Sequence, residues 1–158
     1  MEEWDRYRRS QSRAYLERVR ELGLKVEAVQ AEAERIRDMV GGLRGIDYTQ
    51  PSVKSSPSGD DRMVAAVAAV QEVTRAYCAD MVEYLEAYQE AKRCLGRMGG
   101  KGAAVLRLRY LAGREWSDVA KAIGYASETA AKNAGRVALV ELYDHLPSTG
   151  RDPMHKAL

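Results

Sequence analysis

Residues 127 to 136 read Ser-Glu-Thr-Ala-Ala-Lys-Asn-Ala-Gly-Arg, and their polar members recur at helical spacing. At 100° per residue, Glu128, Thr129, Lys132 and Arg136 fall on one side of a helix with Asn133 at its flank. Ala130, Ala134, Val137 and Ala138 mark the side expected to be buried. The polar set suits a major groove. Lys132 and Arg136 can donate to guanine or phosphate, Asn133 can pair with adenine, and Glu128 can accept from the cytosine amine. The plainer alternative is an (i, i+4) ladder of Glu128, Lys132 and Arg136 on a solvated face. Gly135 costs roughly 1 kcal/mol against Ala inside a helix, and close approach of another backbone is the expected reason for it.

Other reactive side chains are sparse. His145 and His155 are the only histidines, and no carboxylate, Cys or Gly-rich group has catalytic spacing, so an enzyme is not expected. Cys78 and Cys94 form no CxxC pair, which argues against a zinc site or a disulfide framework and for reduced thiols. Neither a metal nor a cofactor is expected.

Three segments must position the polar face. Ser127 can cap the helix that carries it. Before it, Ser117 is the expected N-cap of a short helix through Ile123, with Val119, Ala120 and Ile123 facing inward. Gly124, four residues after the small Ala120, permits a tight turn, and Tyr125 plugs the corner. Earlier still, a helix is expected over residues 103 to 112, closed by Gly113. Its inward face is Ala104, Val105, Leu108, Leu111 and Ala112, and Arg107 and Arg109 flank that face. Leu106 and Tyr110 form a second strip, for docking either a partner or the chain's own N-terminal helices. Two short helices, a glycine turn and a longer helix are the order of a helix-turn-helix.

The N-terminal part supplies length. From Tyr15 onward the apolar positions Tyr15, Val19, Leu22, Val26, Val29, Ala33, Ile36 and Val40 alternate by fours and threes, a heptad seam. A helix over about 4–40 is expected, ended by Gly41 and Gly42. Residues 41 to 59 read as a loop, with Pro51, Pro57 and four Ser, and Leu43, Ile46, Tyr48 and Val53 give it docking residues. A second helix over about 60–98 follows, opened by Asp60 and Asp61. Its seam is Val67, Val70, Thr74, Tyr77, Met81, Tyr84, Tyr88, Ala91, Leu95 and Met98. Two such helices should fold into a long antiparallel hairpin over residues 1–98. Leu16, Val64, Val73, Val82 and Leu85 lie off the seam, which predicts either pairing of two hairpins as a homodimer or cover from the C-terminal domain. Glycines at 99–102 serve as the hinge, residues 103–146 as the helix-turn-helix domain, and 147–158 as a flexible tail. The expected class is all-α.

Lys plus Arg number 25 against 23 Asp plus Glu, a net charge of +2. Residues 1 to 40 hold nine cations and nine anions, 41 to 100 seven and eight, and 101 to 158 nine and six, so the segments carry 0, −1 and +3. The excess lies with the expected reader. No apolar run approaches the ~20 residues of a membrane helix. A cytoplasmic protein without membrane contact is expected.

The stretch LRLRYLAGREWSDVAKAIGYASETAAKNAGRVALVEL resembles region 4 of the sigma-70 family. That pattern is an L-R-x-R-aromatic helix, a short E-E-I-A-like helix, a glycine-hydrophobic turn and a recognition helix. In length and helical N-terminal part the chain is also similar to small phage-encoded sigma-like proteins, including late-transcription regulators of the ArpU and RinA kind. The likeness is of motif over residues 105 to 142 and of architecture alone over 1 to 100. It implies a DNA-binding transcriptional regulator, phage or prophage encoded, with RNA polymerase as a candidate second contact. Ser127, Glu128 and Lys132 match positions implied to read bases, and Thr129, Asn133 and Arg136 join them on the polar face. Arg107, Arg109 and Ser117 match positions implied to touch phosphate or polymerase, and Arg114 and Lys121 are placed with them. Nothing upstream resembles sigma region 2, so promoter melting is not expected. Two other readings compete: a small-terminase-like DNA-packaging component, which predicts a ring, and a helical protein–protein adaptor without DNA binding.

Overall fold

A computed structural model of the chain describes residues 2–43 and 59–148. It is all-α, with no strand among the described residues. The elements are α1 (Glu2–Leu43), α2 (Gly59–Gly96), α3 (Gly100–Leu106), α4 (Trp116–Ile123) and α5 (Glu128–Tyr143), and α3 runs on into a π-helical turn over Arg107–Leu111. No described helix is long and apolar enough to cross a membrane. The expected loop lies mostly, and the expected tail largely, outside the described residues.

α1 forms because nothing interrupts it: it lacks Pro, and Glu2, Glu3 and Asp5 meet the positive end of its dipole. Gly41 and Gly42 do not end it, since it continues to Leu43. The chain divides into two compact units, Met1–Leu22 with Tyr84–Leu158, and Gly23–Glu83. Both long helices contribute to each.

In the unit Gly23–Glu83 the α1 seam is as its spacing requires. Val26 is buried, and Val29, Ala33, Ile36 and Val40 are half-buried. Lys25 Nζ lies 2.5 Å from Asp80 Oδ1, and further along α1, Ala33, Ile36 and Val40 share a groove with Val70, Val73 and Thr74 of α2. The pairings therefore climb α1 as they descend α2. The hydrogen bond it donates to Asp80, and then the charge of that carboxylate, hold the Lys25 ammonium above its ordinary pKa. The α2 seam departs from expectation in its first half. Val67 and Thr74 are exposed, while Ala66 and Val73 are half-buried. A straight helix drifts about 20° per heptad against a strict seven-residue repeat, enough to bring the preceding residue onto the seam. The Thr74 hydroxyl turns back to the Val70 carbonyl at 2.7 Å.

In the other unit an apolar core takes in residues on both sides of the glycines expected to be a hinge. Leu16 and Val19 of α1, Ala91, Cys94 and Leu95 of α2, Ala103 and Leu106 of α3, Leu139 and Leu142 of α5, and Met98 and Tyr110 are all buried in it. Met98 and Ala103 lie on either side of Gly99–Gly102, so the boundary expected at 99–102 does not coincide with the division of the structure. Leu16 is one of the off-seam residues, and it is buried in the same core as residues of the C-terminal helices. Each such leucine contributes about 1.5–3 kcal/mol relative to exposure. That outweighs the preference of the three glycines at 99–102 for a break. Tyr15 donates to Glu90 Oε1 at 2.8 Å, and burial, then that carboxylate, push its pKa far above the ordinary value. At the start of α1, Trp4 stacks on Tyr7 at 5.4 Å between centroids, and both meet the Tyr143 ring edge-on. Arg8 pairs with Asp144 and lies over the same ring. This clamp of α1 on the end of α5 was not legible as a seam, because fully buried Ser12 interrupts the apolar spacing between Tyr7 and Leu16.

Candidate nucleic-acid interface

The helix before the turn is shorter than its pattern suggests and changes pitch. The Arg107 N–H is shared between the Ala103 and Ala104 carbonyls, and the Ala112 N–H then reaches the Arg107 carbonyl at 2.9 Å, an i to i+5 bond. Widening the turn rotates the faces. Leu106 and Tyr110, the strip placed outside, are buried at 0% and 6% exposure in the core shared with α1 and α2. Leu108 and Leu111 of the expected inward face are half-buried, and Ala112 is exposed. Of the two docking alternatives for the strip, the chain's own helices take it.

Arg109 does not face solvent as a free phosphate clamp. Its Nη1 donates to the Arg114 carbonyl at 2.9 Å and to Glu115 Oε2 at 3.3 Å, and its guanidinium carbon lies 5.5 Å from the Trp116 ring centre. It fastens the turn that leads into α4. Arg107 is exposed, and Arg114 and Lys121 line a shallow depression with Asp118 and Ala122. Ser117 is not the cap of α4. The N-cap is Glu115 in extended conformation, without a side-chain cap bond, so Ser117 is an exposed residue of the first turn. The cap thus lies two residues earlier than expected, and Trp116 is the first helical residue of α4.

Val119 and Ala120 are buried and Ile123 half-buried, as their spacing requires. Gly124 ends α4 at φ +81°, where a β-carbon is strained, and the N–H groups of Gly124 and Tyr125 both reach the Ala120 carbonyl, at 3.0 and 2.8 Å. The Ser127 hydroxyl accepts from the Ala130 N–H at 3.1 Å and caps α5.

α5 presents the polar residues where they were placed but buries a neighbouring line. Ala131, Gly135, Ala138 and Leu142 are buried, Ala130 and Ala134 are half-buried, and Val137, expected inside, is 70% exposed. The Ala-rich sequence supports either line, and Trp116 decides. A β-carbon on Gly135 would lie 2.7 Å from Trp116 Cη2, so the close approach that requires glycine is made by an indole, not by a backbone. Thr129, Asn133 and Arg136 stand exposed. Glu128 and Lys132 are also exposed but are paired with each other at 2.5 Å, the ladder contact of the plainer alternative. The structure thus brings Thr129, Lys132, Asn133 and Arg136 onto one accessible face, leaves Arg107, Arg114, Ser117 and Lys121 exposed, and gives Arg109 and Ser127 structural tasks.

Among the described residues no group of three or more His, Cys, Asp and Glu could hold a metal ion. No family model matches the chain, and neither a curated protein nor a solved structure matches it.

Proposed function

We propose that the protein is a sequence-specific DNA-binding transcriptional regulator whose α4 and α5 form a helix-turn-helix, with α5 as the reader in the major groove. The observation that carries this is the exposed face of Thr129, Lys132, Asn133 and Arg136 on a helix capped by Ser127 and preceded by the left-handed Gly124 turn. Donors and acceptors at this spacing span one groove, and the exposed Arg107, Arg114 and Lys121 supply charge for the phosphates. In this reading α1 and α2 form an antiparallel helical hairpin, in keeping with the Tyr15–Glu90 pair in one unit and the Lys25–Asp80 pair in the other. The resemblance to sigma region 4 supports a phage or prophage regulator that also touches RNA polymerase.

The test is fluorescence anisotropy of duplex DNA over a salt series. If Arg107, Arg114, Lys121, Lys132 and Arg136 each neutralise a phosphate, the slope of log K against log salt is about −4 to −5. Lys132→Ala with Arg136→Ala should weaken binding and flatten the slope. Absence of binding at low salt, or an unchanged slope in the double variant, rejects the reading.

The exposed Val64, Val67 and Val82 of α2 favour a second reading, a helical adaptor or homodimer that uses this stripe without DNA. It predicts self-association in light scattering and no salt-dependent DNA affinity. A ring would point instead to a DNA-packaging component.

A further inference from the structure

Val137 stands apart from the other apolar residues of the C-terminal helices. It is 70% exposed on α5, whereas Ala138 and Leu139 beside it are buried to 2%. At 100° per residue, Thr129, Asn133, Arg136 and Val137 lie within an arc of about 100°, so the valine belongs to the same face as the polar residues. We infer that Val137 is a specificity-determining residue that reads the C5-methyl group of a thymine in the major groove. This inference rests on the proposed DNA-binding function and names one base that α5 prefers.

The choice of DNA over a protein partner follows from what surrounds the side chain. Arg136 precedes Val137, Asn133 lies one turn back, and both are exposed, so a ligand meeting the valine also meets a cation and an amide. A thymine offers an apolar methyl at the floor of a polyanionic groove, and the adenine paired with it offers the N6 and N7 pattern that an Asn recognises. Thr129 to Val137 covers about 12 Å at 1.5 Å per residue, the rise of between three and four base pairs. The exposed carboxylate of Glu141, one turn beyond Val137, would be repelled by phosphate and marks the end of the contact. Asn133 and Val137 are separated by about 6 Å along the axis, so the thymine should lie within about two base-pair steps of the adenine read by Asn133.

The experiment begins with selection of bound sequences by the full chain from a random duplex pool. The selected site is then scanned by replacing each thymine with deoxyuridine, which deletes only the methyl group, and affinities are measured at one salt concentration. For the native chain, one such replacement near the Asn133-dependent adenine should weaken binding about fourfold, the worth of one buried methyl-sized group. Val137→Ala should weaken binding of the thymine site by a similar factor and be insensitive to that deoxyuridine. Equal affinities of the native chain and Val137→Ala on the selected site overturn the inference, as does a Val137→Ala loss that adds fully to every deoxyuridine effect. In both cases DNA binding itself stands. A chain that selects no sequence and binds no duplex at low salt overturns the inference together with the function on which it rests.

Discussion

Gly135 is where packing around the candidate reader helix is tightest, and replacing it by alanine opposes two effects of known size. Alanine in a helix interior is favoured over glycine by about 1 kcal/mol. Against this, the added β-carbon would lie 2.7 Å from Trp116 Cη2, 3.1 Å from Cζ3 and 3.4 Å from Val105 Cγ1. Carbon contacts settle at about 3.5–4.0 Å, so the indole must retreat by on the order of 1 Å. The ring has little freedom to do so, because the Arg109 guanidinium lies over it and is itself tied to the Arg114 carbonyl. Overpacking of this kind costs about 1–3 kcal/mol. The expected net effect of Gly135→Ala is a loss of about 1 kcal/mol, or roughly 2–4 °C in Tm for a chain of this length. In a Trp116→Ala background the obstruction is gone, and the same substitution should stabilise by about 1 kcal/mol. Urea unfolding followed by far-UV circular dichroism measures all four proteins without depending on tryptophan emission. The decisive quantity is the sign change, a coupling of about 2 kcal/mol between positions 116 and 135. Gly135→Ala that stabilises equally in both backgrounds would refute the packing argument.

Three further outcomes are expected. Ser12 is fully buried with its hydroxyl unpaired, so Ser12→Ala should leave stability unchanged or raise it by about 1 kcal/mol in urea unfolding, and a loss above that size would reveal a partner for the hydroxyl. Burial, reinforced by Glu90, raises the Tyr15 pKa in the folded chain above its unfolded value of about 10, so its contribution is complete below that pH and is lost above it. Stability should therefore fall more steeply above about pH 10 in the native chain than in Tyr15→Phe, and parallel curves would exclude this origin. Exposed Cys78 should react at once with a chromogenic disulfide, whereas Cys94, 4% exposed and pushed up in pKa by burial, should react only on unfolding; two rapid equivalents would contradict the core assignment.

Features that depend on a few consecutive residues were legible without coordinates. The α1 seam from Tyr15 to Val40 follows from spacing alone, since each residue needs only one apolar neighbour across a helix pair. The Ser127 cap and the Gly124 turn are likewise local, set by a hydroxyl within reach of an N–H three residues on and by a position that excludes a β-carbon. The exposed polar face of α5 was legible because charged and amide side chains resist burial whatever lies nearby.

Other features depended on which surfaces meet. An Ala-rich helix offers several equivalent apolar lines, and α5 buries Ala131 and Gly135 while Ala130 stays half-buried and Val137 is exposed, with Trp116 packed above Gly135. Arg109 looked like a phosphate ligand until the carbonyl of Arg114 and the ring of Trp116 were close enough to hold it. The core that joins Leu16, Leu95, Leu106 and Leu142 also takes in Met98 and Ala103, on either side of the glycines at 99–102. Those glycines permit a hinge, but buried residues on both sides of them are held in the same core. Spacing sets what each helix can bury, and only the partners it meets select which of those faces is used.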